Sequence, residues 1–256
     1  MTTIINDKQL PAIVCFRCTR RCNLKCGFCF ACNRSSELTT SEILKLLLTL
    51  KEHGTISVRL GGGEPTVRQD LDIILSYAVS IGLNIFLSSN LYHISDTVFK
   101  TIVRYRIPVL TSIHGNKEYH DMITGCDGSF DNVCKNIIKL SHKSIPVTVH
   151  FVVMPDNIQY AEYVINKCIN LSVKKITFQT CIPRERGTIL FEQSNYNKDS
   201  IESQMDYIKE LAEQYKRFIR IKTINMFEKY YYVLEPNRVI YLQKGFENED
   251  EVYCSI

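Results

Sequence analysis

The sequence contains no tryptophan and little glycine, proline or methionine, with 11, 7 and 5 of these among its 256 residues. It also lacks an uninterrupted apolar run of the ~20 residues that a membrane-spanning helix needs. The first residues, MTTIIND, do not have the pattern of a secretory signal peptide. Charge of one sign is not in excess, since 31 basic and 27 acidic residues leave a net charge of +4. These absences argue against a membrane, secreted or nucleic-acid-binding protein, and we expect a cytoplasmic one.

Cysteine is the residue in excess. Of 11 cysteines, six lie close together: Cys15, Cys18, Cys22, Cys26, Cys29 and Cys32. Cytosolic thiols stay reduced, so disulfides do not account for such a cluster, which is typical of a metal or iron–sulfur site. The others are dispersed, and most fit the role of small buried hydrophobic residues: Cys126, Cys134, Cys168, Cys181 and Cys254.

Apolar, β-rich segments alternate with amphipathic helical segments. The predicted strands are Ala12–Arg17, Ile56–Leu60, Asn84–Ser88, Ile107–Ile113, Val147–Val153 and Lys174–Thr180. The predicted helices are Ile43–His53, Leu71–Ile81, Asp96–Arg104, Phe130–Ser141, Gln159–Asn170 and Ile201–Phe218. Such a series of strand–helix units predicts an α/β fold with a parallel sheet and right-handed crossovers, either doubly wound or a partial barrel. We expect functional residues at the C-terminal ends of the strands.

The end of the chain has a different pattern. Segments Tyr230–Leu234 and Val239–Leu242 flank the turn residues Glu235-Pro236-Asn237, which predicts a β-hairpin. The acidic stretch Glu247–Glu251 follows, and we expect it to be solvent-exposed. We therefore divide the chain into a core domain, residues 1–218, and a short C-terminal extension, residues 219–256.

The spacing C-x3-C-x2-C occurs directly after the first predicted strand, at Cys22, Cys26 and Cys29. Three thiolates can bind three irons of a [4Fe–4S] cluster and leave the fourth iron open. An open coordination position is typical of catalytic rather than structural metal sites. A structural zinc site that uses Cys15-x2-Cys18 with Cys29-x2-Cys32 is the alternative.

A second motif, Gly61-Gly62-Gly63-Glu64-Pro65, follows the second predicted strand. Together with Cys22-x3-Cys26-Gly27-Phe28-Cys29, it resembles the signature of the radical S-adenosylmethionine (radical SAM) enzymes, and the resemblance covers most of the chain. It implies a partial (β/α)6 TIM-like barrel and one [4Fe–4S] cluster on the three cysteines. It also implies that the amino and carboxylate groups of SAM bind the open iron.

The resemblance further implies which residues contact SAM. They are Phe28, Gly62, Gly63, Glu64, Pro65, Ser88, Ser89, Asn90 and Ser112. The Glu64 carboxylate suits the SAM ammonium, and the glycines allow the backbone to approach closely. His114 and His120 are candidates for acid–base catalysis, although a packing role fits them equally well.

The implied activity is reductive cleavage of SAM to a 5′-deoxyadenosyl radical that abstracts hydrogen from a substrate. The stretch from His114 to Asp131 resembles members that modify peptides, so we favour a peptide or small natural product as substrate. Two alternatives stay open. One is a nucleotide or RNA substrate, because Cys22–Phe30 is locally similar to viperin-like enzymes; the other is a non-catalytic iron–sulfur or zinc binding protein.

Charge near the cysteines indicates an electron donor. The charged residues from Lys8 to Arg34 are all basic, which predicts positively charged surroundings for the anionic cluster. An acidic flavodoxin or ferredoxin would then be the electron donor. The alternative is that these residues form a basic face exposed to solvent. We expect one cluster only, because the tail has Cys254 where peptide-modifying relatives carry a run of cysteines. The sequence leaves open the roles of Cys18, Cys32 and Cys254.

Overall fold

The computed structural model describes residues 9–30, 37–194, 197–246 and 249–256. Lys8, Cys32 and Arg34, which the sequence analysis singled out, lie outside these ranges, as do residues 247 and 248 of the acidic stretch.

The strands of the described chain form one sheet. They are β1 (Ile13–Thr19), β2 (Ser57–Gly62), β3 (Asn84–Ser88), β4 (Val109–Ser112), β5 (Val147–Val153), β6 (Lys175–Thr180), β7 (Arg220–Ile224), β8 (Tyr231–Leu234), β9 (Val239–Gln243) and β10 (Glu251–Ser255). Their order is β10-β9-β8-β1-β2-β3-β4-β5-β6-β7, with β1 to β7 parallel. The predicted α/β fold, a partial (β/α)6 barrel with a short C-terminal extension, is confirmed.

Helices connect the parallel strands. They are α1 (Thr40–Glu52), α2 (Leu71–Ser80), α3 (Asp96–Tyr105), α4 (Lys117–Thr124), α5 (Ser129–Ser141), α6 (Ala161–Asn170), α7 (Arg186–Gln193) and α8 (Lys198–Tyr215), with short 3-10 turns at Pro65–Val67 and Ile158–Tyr160. Thr39 and Glu42 form a capping box at the start of α1, and the Ser95 side chain caps α3. None of the described helices combines the length and the apolar character that a membrane span requires.

The two faces of the strands have different surroundings. Val149 and Phe151 of β5 and Ile176 and Phe178 of β6 are fully buried in the hydrophobic core. Because successive side chains of a strand point to opposite faces, the residues between them face the inside of the barrel. The helices therefore cover the apolar face, and the polar side chains of β5 and β6 line the interior.

Four elements were not predicted: α4, α7, β7 and β10. The last predicted helix also continued to Phe218, whereas α8 ends at Tyr215. The next residues form β7, an edge strand with the sequence RIKTI, where charged and apolar residues alternate. Only one face of this edge strand is apolar, so its sequence differs from the continuous apolar segments of the buried strands. The helical spacing of apolar residues in α8 was therefore extended too far, and β7 was not recognised.

The C-terminal extension adds strands to both edges of the sheet. The predicted hairpin is confirmed as the antiparallel pair β8–β9, and β8 lies parallel to β1, while β7 pairs with β6. The expectation that the acidic stretch is simply solvent-exposed is wrong for Asp250, since its carboxylate accepts two hydrogen bonds from the Arg184 guanidinium, at 2.9 and 2.6 Å. This ion pair joins the loop after β6 to the loop before β10.

Candidate functional site

The cysteine loop follows β1 and is held by backbone hydrogen bonds to α4. The Lys25 N–H donates to the Thr124 carbonyl and the Gly27 N–H to the Ile123 carbonyl, both at 2.9 Å. A side chain at Gly27 would have its Cβ 3.3 Å from Ile123 Cδ1, so the close approach of loop and helix favours glycine there. The last turn of α4 thus fixes the path of the loop.

The N-terminus of α7 holds the other side of the same loop. The Arg186 N–H donates to the Cys29 carbonyl at 3.3 Å, and the Arg186 guanidinium donates to the Cys26 carbonyl at 3.4 Å. The side chains of Cys22, Cys26 and Cys29 line a single cavity at the C-terminal ends of the strands. The chain therefore brings together the three thiols that the spacing singled out.

These thiols have the chemistry of iron ligands. Cys22 is exposed, and Cys26 and Cys29 are half-buried. Burial raises the pKa of the Cys26 thiol to about 12, and the neighbouring Cys29 and Cys22 add to the rise. Binding to a metal deprotonates a cysteine thiol, so these side chains would serve as thiolate ligands in a metal complex.

A single-ion zinc site is not assembled in the described residues, where no three His, Cys, Asp or Glu side chains are close enough to hold one metal ion. Thiolates that bind three different irons of a cluster stand wider apart than ligands that share one ion, so this spacing does not argue against the cluster. Cys15 and Cys18 lie three positions apart on β1 and point to opposite faces. Cys18 is buried, and its thiol donates to the Gly61 carbonyl at 3.4 Å.

The glycine loop after β2 lies against the start of the cysteine loop. Gly62 has a φ of +142°, and a Cβ there would lie 2.1 Å from the Thr19 carbonyl oxygen. A Cβ on Gly63 would lie 2.2 Å from the Arg21 carbonyl oxygen. The Gly63 N–H donates to the Thr19 carbonyl at 2.9 Å and the Glu64 N–H to the Arg21 carbonyl at 2.8 Å. Only glycines fit this contact between the two loops.

Glu64 is a buried carboxylate at the wall of the cavity, with 1% of its surface exposed. Its Oε1 accepts hydrogen bonds from the Thr66 N–H at 3.0 Å, the Thr66 hydroxyl at 2.7 Å and the Ser89 hydroxyl at 2.7 Å. Its Oε2 accepts from the Asn90 N–H at 2.6 Å. Burial raises the pKa of this carboxyl, and these hydrogen bonds oppose the rise.

No ion pair within the described ranges involves Glu64. A buried carboxylate is costly unless a cation or enough donors compensate it. Oε1 already accepts three donors, whereas Oε2 has one and retains a free lone pair. The cavity therefore offers a place for a cationic group at Glu64 Oε2.

Three histidines also line the cavity: His114, His120 and His150. His114 Nδ1 accepts from the Val152 N–H and His120 Nδ1 from the His114 N–H, both at 3.2 Å. Burial lowers the pKa of His114 well below 6.5 and that of His120 to about 4. Both rings are therefore neutral near pH 7 and carry their proton on Nε2.

Most of the residues predicted to contact SAM line this cavity: Phe28, Gly62, Gly63, Glu64, Ser88, Ser89, Asn90 and Ser112. Pro65 does not; it begins the 3-10 turn that Glu64 caps. The sequence analysis missed Thr111, Thr124 and His150, which also line the cavity. Thr111 is notable because its buried hydroxyl oxygen has no hydrogen-bond partner. Its position beside Ser112 at the end of β4 was the available signal.

The positive surround expected for the cysteine loop is reduced by Glu235. This carboxylate forms ion pairs with both Arg17 and Arg20, and all three side chains are largely buried. Arg21 and Lys25 are the basic residues of the loop that remain exposed to solvent. Glu235 follows β8, and the parallel pairing of β8 with β1 brings it to the arginines.

The donor set fits a [4Fe–4S] cluster with SAM. Three thiols could bind three irons, as the ligand chemistry of such clusters requires. The Glu64 carboxylate could bind the SAM ammonium through Oε2. All these groups line one cavity.

Curated relatives cover several activities. Fe-coproporphyrin III synthase from Methanosarcina barkeri is 27% identical over 71% of this chain and 47% of its own length. Sporulation killing factor maturation protein SkfB from Bacillus subtilis is 28% identical over 64% of this chain and 41% of its own. A probable GTP 3′,8-cyclase from Saccharolobus islandicus is 27% identical over 93% of this chain and 75% of its own. The chain spans about half the length of the first two relatives.

Solved structures agree on the fold. SuiB from Streptococcus suis bound to S-adenosylmethionine has a TM-score of 0.76 at 17% identity, over 91% of this chain and 60% of SuiB. SuiB bound to its precursor peptide SuiA gives the same TM-score at 16% identity, over 91% of this chain and 59% of SuiB. The family model described as the radical SAM superfamily matches residues 16–168. Since this match covers more than half of the sequence, the chain belongs to the radical SAM superfamily, whose members are enzymes that use a [4Fe–4S] cluster and SAM.

Proposed function

We propose that this chain cleaves SAM reductively at a cluster bound by Cys22, Cys26 and Cys29, and that the resulting 5′-deoxyadenosyl radical abstracts hydrogen from a peptide or small natural product. The observation that carries the proposal is that three thiols line the same cavity as a buried carboxylate, which has no cation partner among the described residues. When bound, the reduced cluster supplies the electron that breaks the sulfonium C–S bond of SAM.

Glu64 binds the SAM ammonium in this proposal. The donors on Oε1, which come from Thr66 and Ser89, fix the carboxylate and leave Oε2 for the ammonium. The Asn90 N–H donates to Oε2 from the end of β3 and keeps it pointing along the cavity wall. Ser89 and Asn90 therefore act through Glu64 as positioning residues, in addition to lining the cavity.

The aromatic wall orients SAM and excludes water. The ring of Phe28 meets the ring of His114 edge to face, with centroids 4.5 Å apart, and His114 stacks on His120. Because both histidines are neutral and have Nδ1 tied to the backbone, each offers Nε2–H as a hydrogen-bond donor. We assign them this binding role in place of the acid–base role considered from the sequence.

Two relatives support a peptide as the substrate. SkfB is named as a maturation protein of the sporulation killing factor, and SuiB has been solved with a precursor peptide. A nucleotide is the second candidate, because the GTP 3′,8-cyclase match extends over 93% of this chain. A cytoplasmic flavodoxin or ferredoxin is the electron donor that we propose, with Arg21 and Lys25 as exposed cations beside the cysteine loop.

Release of 5′-deoxyadenosine tests this proposal. Anaerobically reconstituted protein, reduced with dithionite in the presence of SAM, is analysed by liquid chromatography and mass spectrometry. Wild-type protein and Cys15→Ala should release 5′-deoxyadenosine, because Cys15 lies outside the cavity lining. Cys26→Ala should release none. A wild-type protein that binds iron and cleaves no SAM would support the non-catalytic alternative instead.

A further inference from the structure

The inner face of the barrel carries a group of cations that lies nearer the N-terminal ends of the strands than the cofactor cavity does. Lys175 begins β6, and Arg220 and Lys222 lie on β7. Arg59 lies on β2, where it faces the same side of the sheet. Their neighbours Ile176 and Phe178 pack into the hydrophobic core on the other face, so the alternation of each strand directs the cations into the barrel.

These cations influence one another across the interior. Lys175 and Arg220 are partners in the register of β6 and β7, so two like charges lie side by side. The pKa of Lys175 is lowered by burial and then by the charges of Lys222, Arg220 and Arg59. Because Arg59 belongs to a strand on the other side of the open barrel, the group is not confined to one edge of the sheet. Arg59, Arg220 and Lys222 are exposed to solvent, and Lys175 is half-buried.

No carboxylate compensates this group in the described ranges. Strands β1 to β7 contain no aspartate or glutamate. None of the ion pairs found there involves Arg59, Lys175, Arg220 or Lys222. Arg17, on the same face of β1, differs in having Glu235 as its partner. Neighbouring like charges on a sheet repel one another, and an anion bound between these cations would replace the solvent that screens them.

His150 connects the cations to the cofactor cavity. Its side chain lines that cavity, and its pKa is lowered to about 4 by burial and by the charges of Arg59, Lys175 and Lys222. In the register of β5 and β6, His150 lies opposite Thr177, two positions beyond Lys175 on the same face, so the cations begin just below this wall of the cavity. A molecule that enters the barrel toward the cavity would meet both.

We propose that the substrate is a small molecule with a multiply charged anionic group, phosphate or carboxylate, that binds Arg59, Lys175 and Lys222 inside the barrel. The part that loses hydrogen then lies toward His150 and the cofactor cavity. Arg59 can bind such an oxyanion through two parallel N–H donors, while the lysines add point charges. This inference rests on the proposed function and narrows its substrate class.

Binding of simple anions tests the inference. Isothermal titration of tripolyphosphate and of citrate is done on full-length reconstituted protein and on Arg59→Gln, Lys175→Gln and Lys222→Gln. The wild type should bind at least one probe, and each substitution should weaken binding by about 10-fold, as expected for one charge-assisted contact. Preference for tripolyphosphate would indicate a phosphate substrate, and preference for citrate a carboxylate.

Lys216→Gln is the matched control, because Lys216 lies in a separate groove with Lys174, Arg217 and Arg220, where it pairs with Glu213, and it is not one of the three cations assigned to the substrate. It should bind the probes as the wild type does. Three results would overturn the inference. They are a wild type that binds neither probe, variants of Arg59, Lys175 and Lys222 that bind as tightly as the wild type, and a loss of binding in Lys216→Gln instead. Measuring 5′-deoxyadenosine release on the same wild-type sample separates the two claims: release without anion binding contradicts only this inference, and anion binding without release contradicts only the proposed function.

Discussion

Substitution of Glu64 by glutamine tests the cofactor cavity with little change of volume. Three donors converge on Oε1, so the amide oxygen of the glutamine will take that position. The amide NH2 then replaces Oε2 and faces the Asn90 N–H, which donates to Oε2 at 2.6 Å in the wild type. Two donors oppose each other, and the negative charge is lost.

The expected effect is a large loss of SAM affinity. A charge-assisted hydrogen bond contributes about 1.5–3 kcal/mol, so Glu64→Gln should weaken SAM binding by about 10- to 150-fold. Equilibrium binding of SAM to anaerobically reconstituted protein measures it, with iron content as a check that the cluster is present. Glu42→Gln is the control, because Glu42 caps α1 away from the cavity. Unchanged SAM affinity in Glu64→Gln with a full cluster would refute the assignment.

Three further substitutions test the fold around the site. Gly62→Ala should destabilise the protein by at least ~1–3 kcal/mol in chemical unfolding, since its Cβ would strike a backbone carbonyl, whereas Gly61→Ala, with 3.4 Å of clearance, should cost less. Glu235→Gln leaves two buried arginines without their charge partner and should cost about 3–5 kcal/mol; a loss below ~1 kcal/mol would contradict this. Folding lowers the pKa of His150 from 6.5 to about 4, so its contribution to stability is complete above pH 6.5 and declines as the pH falls toward 4. In His150→Gln, the unfolding midpoint should depend less on pH over that range. An unchanged pH dependence would show that His150 does not titrate there.

The sequence predicted the parallel core and the positions of the cysteine and glycine loops in the fold. The predicted strands are buried apolar segments, and the capping box at Thr39 and Glu42 marks the start of α1. The cysteine and glycine motifs follow β1 and β2, and parallel neighbours end at the same edge of a sheet. Local patterns and one topological rule therefore suffice to bring Cys22 and Glu64 into one cavity.

The supports of the cysteine loop could not be predicted from side chains. α4 holds the loop through the carbonyls of Ile123 and Thr124, and α7 holds it largely through the Arg186 backbone. Backbone groups are the same in every residue, so these contacts leave no pattern in the sequence. Both helices have eight residues, which also gives little helical periodicity to detect.

Contacts between side chains that are far apart in the sequence could not be predicted either. Glu235 lies 218 positions from Arg17, and only the parallel docking of β8 on β1 joins them. The count of basic residues around the cysteines therefore overstated the positive charge near the loop. The cations proposed to bind the substrate are dispersed in the same way, because Arg59, Lys175 and Lys222 share one face only when β2, β6 and β7 join one curved sheet.

The iron and sulfide content of the triple variant Cys22→Ala/Cys26→Ala/Cys29→Ala tests most directly that one cluster is bound by these three cysteines. After anaerobic reconstitution, the wild type should contain about four irons and four sulfides per chain, because three thiolates support one cluster. The triple variant should contain neither and should lack iron–sulfur absorbance. Stoichiometric zinc without iron in the wild type, or an iron–sulfur spectrum that survives in the triple variant, would contradict the account.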